Sequence, residues 1–280
     1  MRIIAAIGLV VALILPAMAR AETQFALPGY AWLIGQSARN LHDAFAPPFG
    51  FTRTTVPYLG FAYWLRYLPL KPDGAAVVLF DGRERAYQGG AAAIFDIDVG
   101  QRDLQQCADA VIRLRAEWAY AARKFNALSF LFTSGDRARF SDWVDGKTAQ
   151  VSGNRVRWIS TKPRGNDHAS LRQWLDLVFT YAGSLSLQRE LKPVADVTTV
   201  QAGDVLIQGG SPGHALIVLD VAHDERNRPA VLLAQSFMPA QSIHVLRNPS
   251  GGNWFVLSPG ADIVTPDWRF LPGDLRRVAA

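Results

Sequence analysis

Cysteine is almost missing from this chain: 280 residues contain one, Cys107. A single thiol excludes an intramolecular disulfide and any zinc site assembled from several thiolates. Charge of one sign is also missing, since 29 Lys and Arg stand interspersed with 24 Asp and Glu. No basic tract follows, and with it goes the footprint of a nucleic-acid binder. Gly209-Gly210 has neither the lysine nor the helix of a phosphate loop, so no nucleotide cofactor is expected. His42, His168, His223 and His244 are scattered, with no partner at metal-ligand spacing, so no metal is expected either. No repeat or low-complexity stretch occurs.

The chain also lacks long hydrophobic runs, with one exception at its start. Arg2 supplies a positive end, Ile3 to Leu15 an apolar run and Ala19-Arg20-Ala21 a small-x-small cleavage site. The run falls short of the ~20 residues of a spanning helix, and Pro16 follows it. Residues 1–21 are therefore expected to be a signal peptide and the mature chain to begin near Glu22, without a membrane span. No cysteine at the cleavage site offers a lipid attachment point. The expected address is exported, periplasmic or extracellular.

What is present suffices for a folded body, because 49% of residues are hydrophobic and 19% charged. Residues 22–75 are rich in proline and aromatics, with a hydrophobic stretch from Tyr58 to Leu70, and read as a short helical lobe. Residues 76–280 read as one α+β domain with an insertion over about 133–200. Asp73-Gly74 is a turn, and strands are expected over Ala76 to Phe80 and Ala91 to Val99. Leu104, Cys107, Val111, Leu114, Trp118, Ala122 and Phe125 recur three or four apart, which predicts a helix from Leu104 to about Phe125. Asp103 is its expected cap and Gln106 the partner in a capping box, with Cys107 in the first turn.

Leu128 to Phe132 reads as a buried strand and Asp167 to Leu185 as a second helix. Strands follow at Asp204 to Ile207, His214 to Val221, Ala230 to Gln235, Ser242 to Leu246 and Trp254 to Leu257. Helix first and antiparallel sheet after is an α+β order.

The thiol is the first candidate for chemistry. In the first turn of a helix it lies near unsatisfied N–H groups and the positive dipole end, both of which favour thiolate. The competing reading makes Cys107 one more buried member of the apolar stripe. The segment Gly203-Asp204-Val205-Leu206-Ile207-Gln208-Gly209-Gly210-Ser211-Pro212-Gly213-His214 is a strand, a turn and a histidine opening the next strand, placed to act as general base toward a thiol on a facing helix.

Pairing the strands from His214 and Ala230 about Arg226 brings Gln235 or Ser236 near His214. Gln235 is preferred because its amide oxygen can fix the imidazole tautomer.

This strand-turn-Gly-His unit, with a helix-opening cysteine far upstream, resembles the core of NlpC-type and CHAP-type cysteine peptidases, papain-like enzymes that hydrolyse amides in bacterial cell wall. The resemblance covers the Cys107 turn and about residues 203–241, and implies a Cys, His and polar-residue triad. Longer stretches resemble an uncharacterised bacterial family, domain of unknown function 4846: Asp98 to Cys107, Phe179 to Gly183 and Ala234 to Gln241. That resemblance implies no activity.

The candidate catalytic residues are thus Cys107, His214 and Gln235. The oxyanion-hole candidates are Gln101, whose six-residue spacing before Cys107 resembles the papain arrangement, and Gln106. Trp143, Trp158 and Trp254 could line a carbohydrate surface, although tryptophan commonly completes a core. Asp96 and Asp98 lack the second carboxylate pair of a glycosidase cleft.

Two functions stay open: an exported cysteine hydrolase of peptide or cell-wall amides, or a noncatalytic envelope binding or scaffold protein with Cys107 buried.

Overall fold

A computed structural model describes residues 29–33 and 39–278. The expected signal peptide lies outside the described residues.

In chain order, the elements begin with α1 (Leu41–Ala44), β1 (Thr52–Arg53), α2 (Phe61–Arg66), β2 (Ala91–Ile94) and α3 (Cys107–Ala121). Next come β3 (Ser129–Leu131), β4 (Arg137–Arg139), α4 (Phe140–Val144), β5 (Lys147–Ser152), β6 (Arg155–Ser160), α5 (His168–Tyr181) and α6 (Ser184–Glu190). The last third is strands: β7 (Leu191–Pro193), β8 (Val205–Gln208), β9 (His214–His223), β10 (Pro229–Gln235), β11 (His244–Leu246), β12 (Phe255–Val256), β13 (Ile263–Val264), β14 (Arg269–Phe270) and β15 (Leu275–Val278).

The main sheet runs β2-β11-β10-β9-β8-β15-β7, with β1 added on β9 and β12 on β10. Its pairings are antiparallel. β9 is almost wholly buried, because both of its faces are covered. Ala215, Ile217 and Leu219 pack into the core that also holds Val111, Ile112 and Leu114 of α3. Leu216 and Val218, one residue out of phase, enter a second core with Phe255 and Phe270 on the opposite face. The expected α+β architecture, a Cys-bearing helix against an antiparallel sheet, is present.

Several boundaries differ from expectation. Segment 76–80 makes only isolated bridges, Val78 to Glu84 and Leu79 to Gln241, and the strand expected over Ala91 to Val99 stops at Ile94. The second helix ends at Tyr181 and α6 restarts at Ser184, because Gly183 is extended and its N–H goes to the Ser186 hydroxyl at 3.0 Å. The insertion is not purely helical, since β5 and β6 form a hairpin.

Residues 39–75 are tied into the sheet. β1 pairs with β9, and the buried Asp220 of β9 accepts from Arg53 Nε at 2.8 Å and Arg66 Nη2 at 2.7 Å.

Candidate functional site

α3 opens at Cys107, three residues later than its periodicity suggests. The expected cap, Asp103, is engaged elsewhere: its Oδ1 accepts from the Ala240 N–H at 2.7 Å and from Gln106 Nε2 at 3.0 Å. Leu104 and Gln106 instead close tight turns onto Arg102 O and Leu104 O. Gln106 becomes the N-cap, and the carboxylate that reaches back to its N–H is that of Asp109, at 3.2 Å. Cys107 is therefore the first residue of the helix. Its own N–H is among the amides that an α-helix leaves without an intrahelical partner.

This placement does not produce a thiolate at rest. Cys107 is 8% exposed, and burial, followed by the neighbouring Asp109, pushes its thiol above the ordinary range. The N–H groups of Ala108, Ala215 and Cys107 pull the other way and are outweighed. Contrary to the expectation from its place in the helix, desolvation of the charged form dominates over the dipole and the nearby N–H groups.

Cys107 lines a cavity of about 380 Å³ whose polar lining includes Asp103, Gln106, Asp109, Thr180, Ser184 and Ser211. Among the described residues no lysine, arginine or histidine lines it. Gly213 forms part of the wall, and only glycine fits there: a Cβ would lie 2.5 Å from both Gly210 O and Ser184 Oγ.

His214 follows immediately, as the first residue of β9, with 1% of its surface exposed. Its Nε2 lies 2.8 Å from Gln235 Oε1, so His214 and Gln235 meet. Trp268, Phe237 and Phe270 enclose the ring at centroid distances of 5.3, 4.9 and 6.0 Å. Burial lowers the imidazole pKa to about 4, so the ring is neutral near pH 7.

The thiol and imidazole approach the strand from different sides. His214 shares the parity of Leu216 and Val218, whereas the sulfur meets the strand at the N–H of Ala215, one residue on. Among the described residues, neither ring nitrogen hydrogen-bonds the sulfur.

Ser236, the alternative to Gln235, points elsewhere: its Oγ lies 2.9 Å from Gln105 O and 2.8 Å from Gln241 O. Gln101 is exposed and does not line the cavity, whereas Gln106 does. The tryptophans form no common surface. Trp143 donates to Ser170 Oγ, Trp158 stacks on Phe132 and Trp254 donates to Ala46 O. Asp98 pairs with Arg113 and Arg172, and the Asp96 carbonyl accepts from Trp32. His168 meets Glu117, and His223 meets Thr54. Among the described residues no group of three or more His, Cys, Asp or Glu is arranged to hold a metal ion, and no helix is long and apolar enough to cross a membrane.

Four residues at the site carried no sequence signal. Asp109 reads as an ordinary first-turn acid, yet it is buried and its Oδ1 has no hydrogen-bond partner. Asp267 comes from the turn between β13 and β14 and accepts from Gln235 Nε2 at 2.6 Å. Arg85 Nη2 donates to the other oxygen of Asp267 at 2.5 Å. His244, on β11, is wholly buried, with Nε2 3.4 Å from Gln235 Nε2 and Nδ1 2.9 Å from Ser242 O.

No curated protein and no solved structure matches the chain. Its relationship is to a sequence family: over residues 41–277 the chain belongs to the family described as domain of unknown function (4846).

Proposed function

We propose that this protein is an exported cysteine hydrolase of amide bonds, in which Cys107 is the nucleophile, His214 the base and Gln235 the group that orients the imidazole. The arrangement is papain-like in this reading, and peptidoglycan stem peptides are its substrate, being the abundant amides of that compartment. The observation that carries it is the 2.8 Å contact between His214 Nε2 and Gln235 Oε1. It leaves Nδ1 as the nitrogen available to a thiol.

The resting pair is neutral, since burial holds the thiol protonated and the imidazole uncharged. In this reading substrate binding brings the sulfur and Nδ1, which meet β9 from different sides at rest, to hydrogen-bond distance around the first residue of the strand. The sulfur then attacks the amide carbonyl while Nδ1 takes the thiol proton. The carbonyl oxygen gains negative charge beside the N–H of Cys107 and the side chain of Gln106. The C–N bond breaks, the imidazolium returns the proton to the departing amine, and water hydrolyses the thioester.

One observation favours a second reading, a noncatalytic envelope binding protein. Cys107 is 8% exposed and, among the described residues, its sulfur makes no hydrogen bond to His214. Digestion of purified peptidoglycan separates the two. Wild type should release new amino termini and Cys107→Ala should not; equal release by both would reject Cys107 as nucleophile.

A further inference from the structure

Gln235 has four hydrogen-bonding positions, and its surroundings leave its amide one orientation. The Asp267 carboxylate can only accept, so the group facing it at 2.6 Å is the amide NH2. The carbonyl of Gln235 therefore faces His214. A carbonyl can only accept in turn, so His214 Nε2 carries the proton and Nδ1 carries the lone pair. The second N–H of Gln235 points at His244 Nε2, at 3.4 Å. That nitrogen is an acceptor for the same kind of reason: Ser242 O, 2.9 Å from His244 Nδ1, can only accept and so places the proton on Nδ1.

Asp267 is itself held. Arg85 binds its other oxygen at 2.5 Å, with both side chains largely buried. The hairpin turn carrying Asp267 closes through Thr265 N–H to Trp268 O, at 2.8 Å. It seats against Gly90, where a Cβ would approach Pro266 Cβ to 2.9 Å. Each bond in the chain from Arg85 through Asp267 and Gln235 to His214 has one permitted donor direction.

We infer that Asp267, together with Arg85 and His244, is a positioning group that sets the orientation of the Gln235 amide and thereby the His214 tautomer with its lone pair on Nδ1. This rests on the reading of His214 as the base, but its test does not require activity.

The test is the side-chain ¹⁵N spectrum of the full-length protein labelled at histidine. With five histidines the spectrum is sparse, and a His214→Gln variant identifies the resonances of interest. Near pH 7 the expected pattern for His214 is a protonated, pyrrole-like Nε2 and an unprotonated, pyridine-like Nδ1, with the reverse for His244. A protonated Nδ1 on His214 would overturn the inference from the wild-type spectrum alone.

In Asp267→Asn the residue facing Gln235 can offer either an oxygen or an NH2, so the His214 shifts should move toward those of mixed tautomers. Unmoved shifts would remove Asp267 from the role. Peptidoglycan digestion reads the enzyme proposal separately, so either result can fail without the other.

Discussion

Asp109 shows how one residue can be ordinary in sequence and unusual in place. It lies at the third position of α3, where a carboxylate commonly serves the N-cap, and it does so for Gln106. Its other oxygen is buried without a partner, and burial raises its pKa well above the usual carboxylate range. The unfolded carboxyl ionises near its ordinary value while the folded one resists ionisation. The stability linked to this group is therefore largest at acid pH and declines as pH rises toward the folded pKa. Asp109→Asn keeps an oxygen for the Gln106 N–H and cannot ionise. Thermal melts should show the substitution raising Tm more at pH 8 than at pH 5, and the same effect at both would contradict the burial argument.

Among the elements, α3 depends on a buried charge group as well as on its apolar stripe. Arg113 and Glu117 are fully buried and pair at 2.7 Å, Arg113 Nη1 donates to Gln105 Oε1 at 2.7 Å, and His168 approaches Glu117 to 2.9 Å. Burial raises the Glu117 pKa, but the His168 hydrogen bond and Arg113 outweigh it and leave the carboxyl below its ordinary range. The same arginine anchors the 98–106 loop through Asp98, so the segment that delivers Cys107 hangs on it. Arg113→Met should cost about 3–5 kcal/mol in urea unfolding, because it leaves a buried carboxylate with His168 alone and frees that loop. A change under about 1 kcal/mol, the worth of a surface pair, would show the group is solvated.

At the mouth of β9, Gly213→Ala should shift the α6 start and lower stability by about 1–3 kcal/mol, since the added methyl meets Gly210 O and Ser184 Oγ.

The two long helices and the strands β8 to β12 were legible in sequence because periodicity and apolar runs report burial directly, whereas the short strands β13, β14 and β15 were not. The start of α3 was not. Which acid caps it depends on Ala240, a residue 137 positions away that occupies Asp103. The partnership of His214 and Gln235 was legible through hairpin register, whereas Asp267 and Arg85 arrive from loops on either side and left no spacing to read. The same limit hid the face of His214. Strand alternation was readable, but which face α3 would cover was not.

For the molecule as a whole, the buried imidazoles tie stability to pH. His214 and His244 both have pKa values lowered to about 4, mainly by burial. Their unfolded counterparts bind protons near pH 6.5, so the unfolded state takes up more protons between those values. Stability linked to these rings is present above about pH 6.5 and is lost as pH falls toward 4, on the order of 3 kcal/mol for one ring. Urea midpoints measured from pH 7 to pH 4 should fall through this window, and less steeply in His244→Gln; parallel slopes would contradict burial of a neutral ring.

Neutral rings and a protonated thiol also define the resting enzyme in the proposed mechanism, where the proton moves only during attack. The most direct measurement is the rate of iodoacetamide alkylation of Cys107 across pH, in wild type and His214→Gln. If His214 is the base, wild type should react at neutral pH at least about tenfold faster than the variant, with the advantage disappearing as the imidazole protonates near pH 4. Superimposable profiles, both rising only at the alkaline pH of a buried thiol, would contradict it.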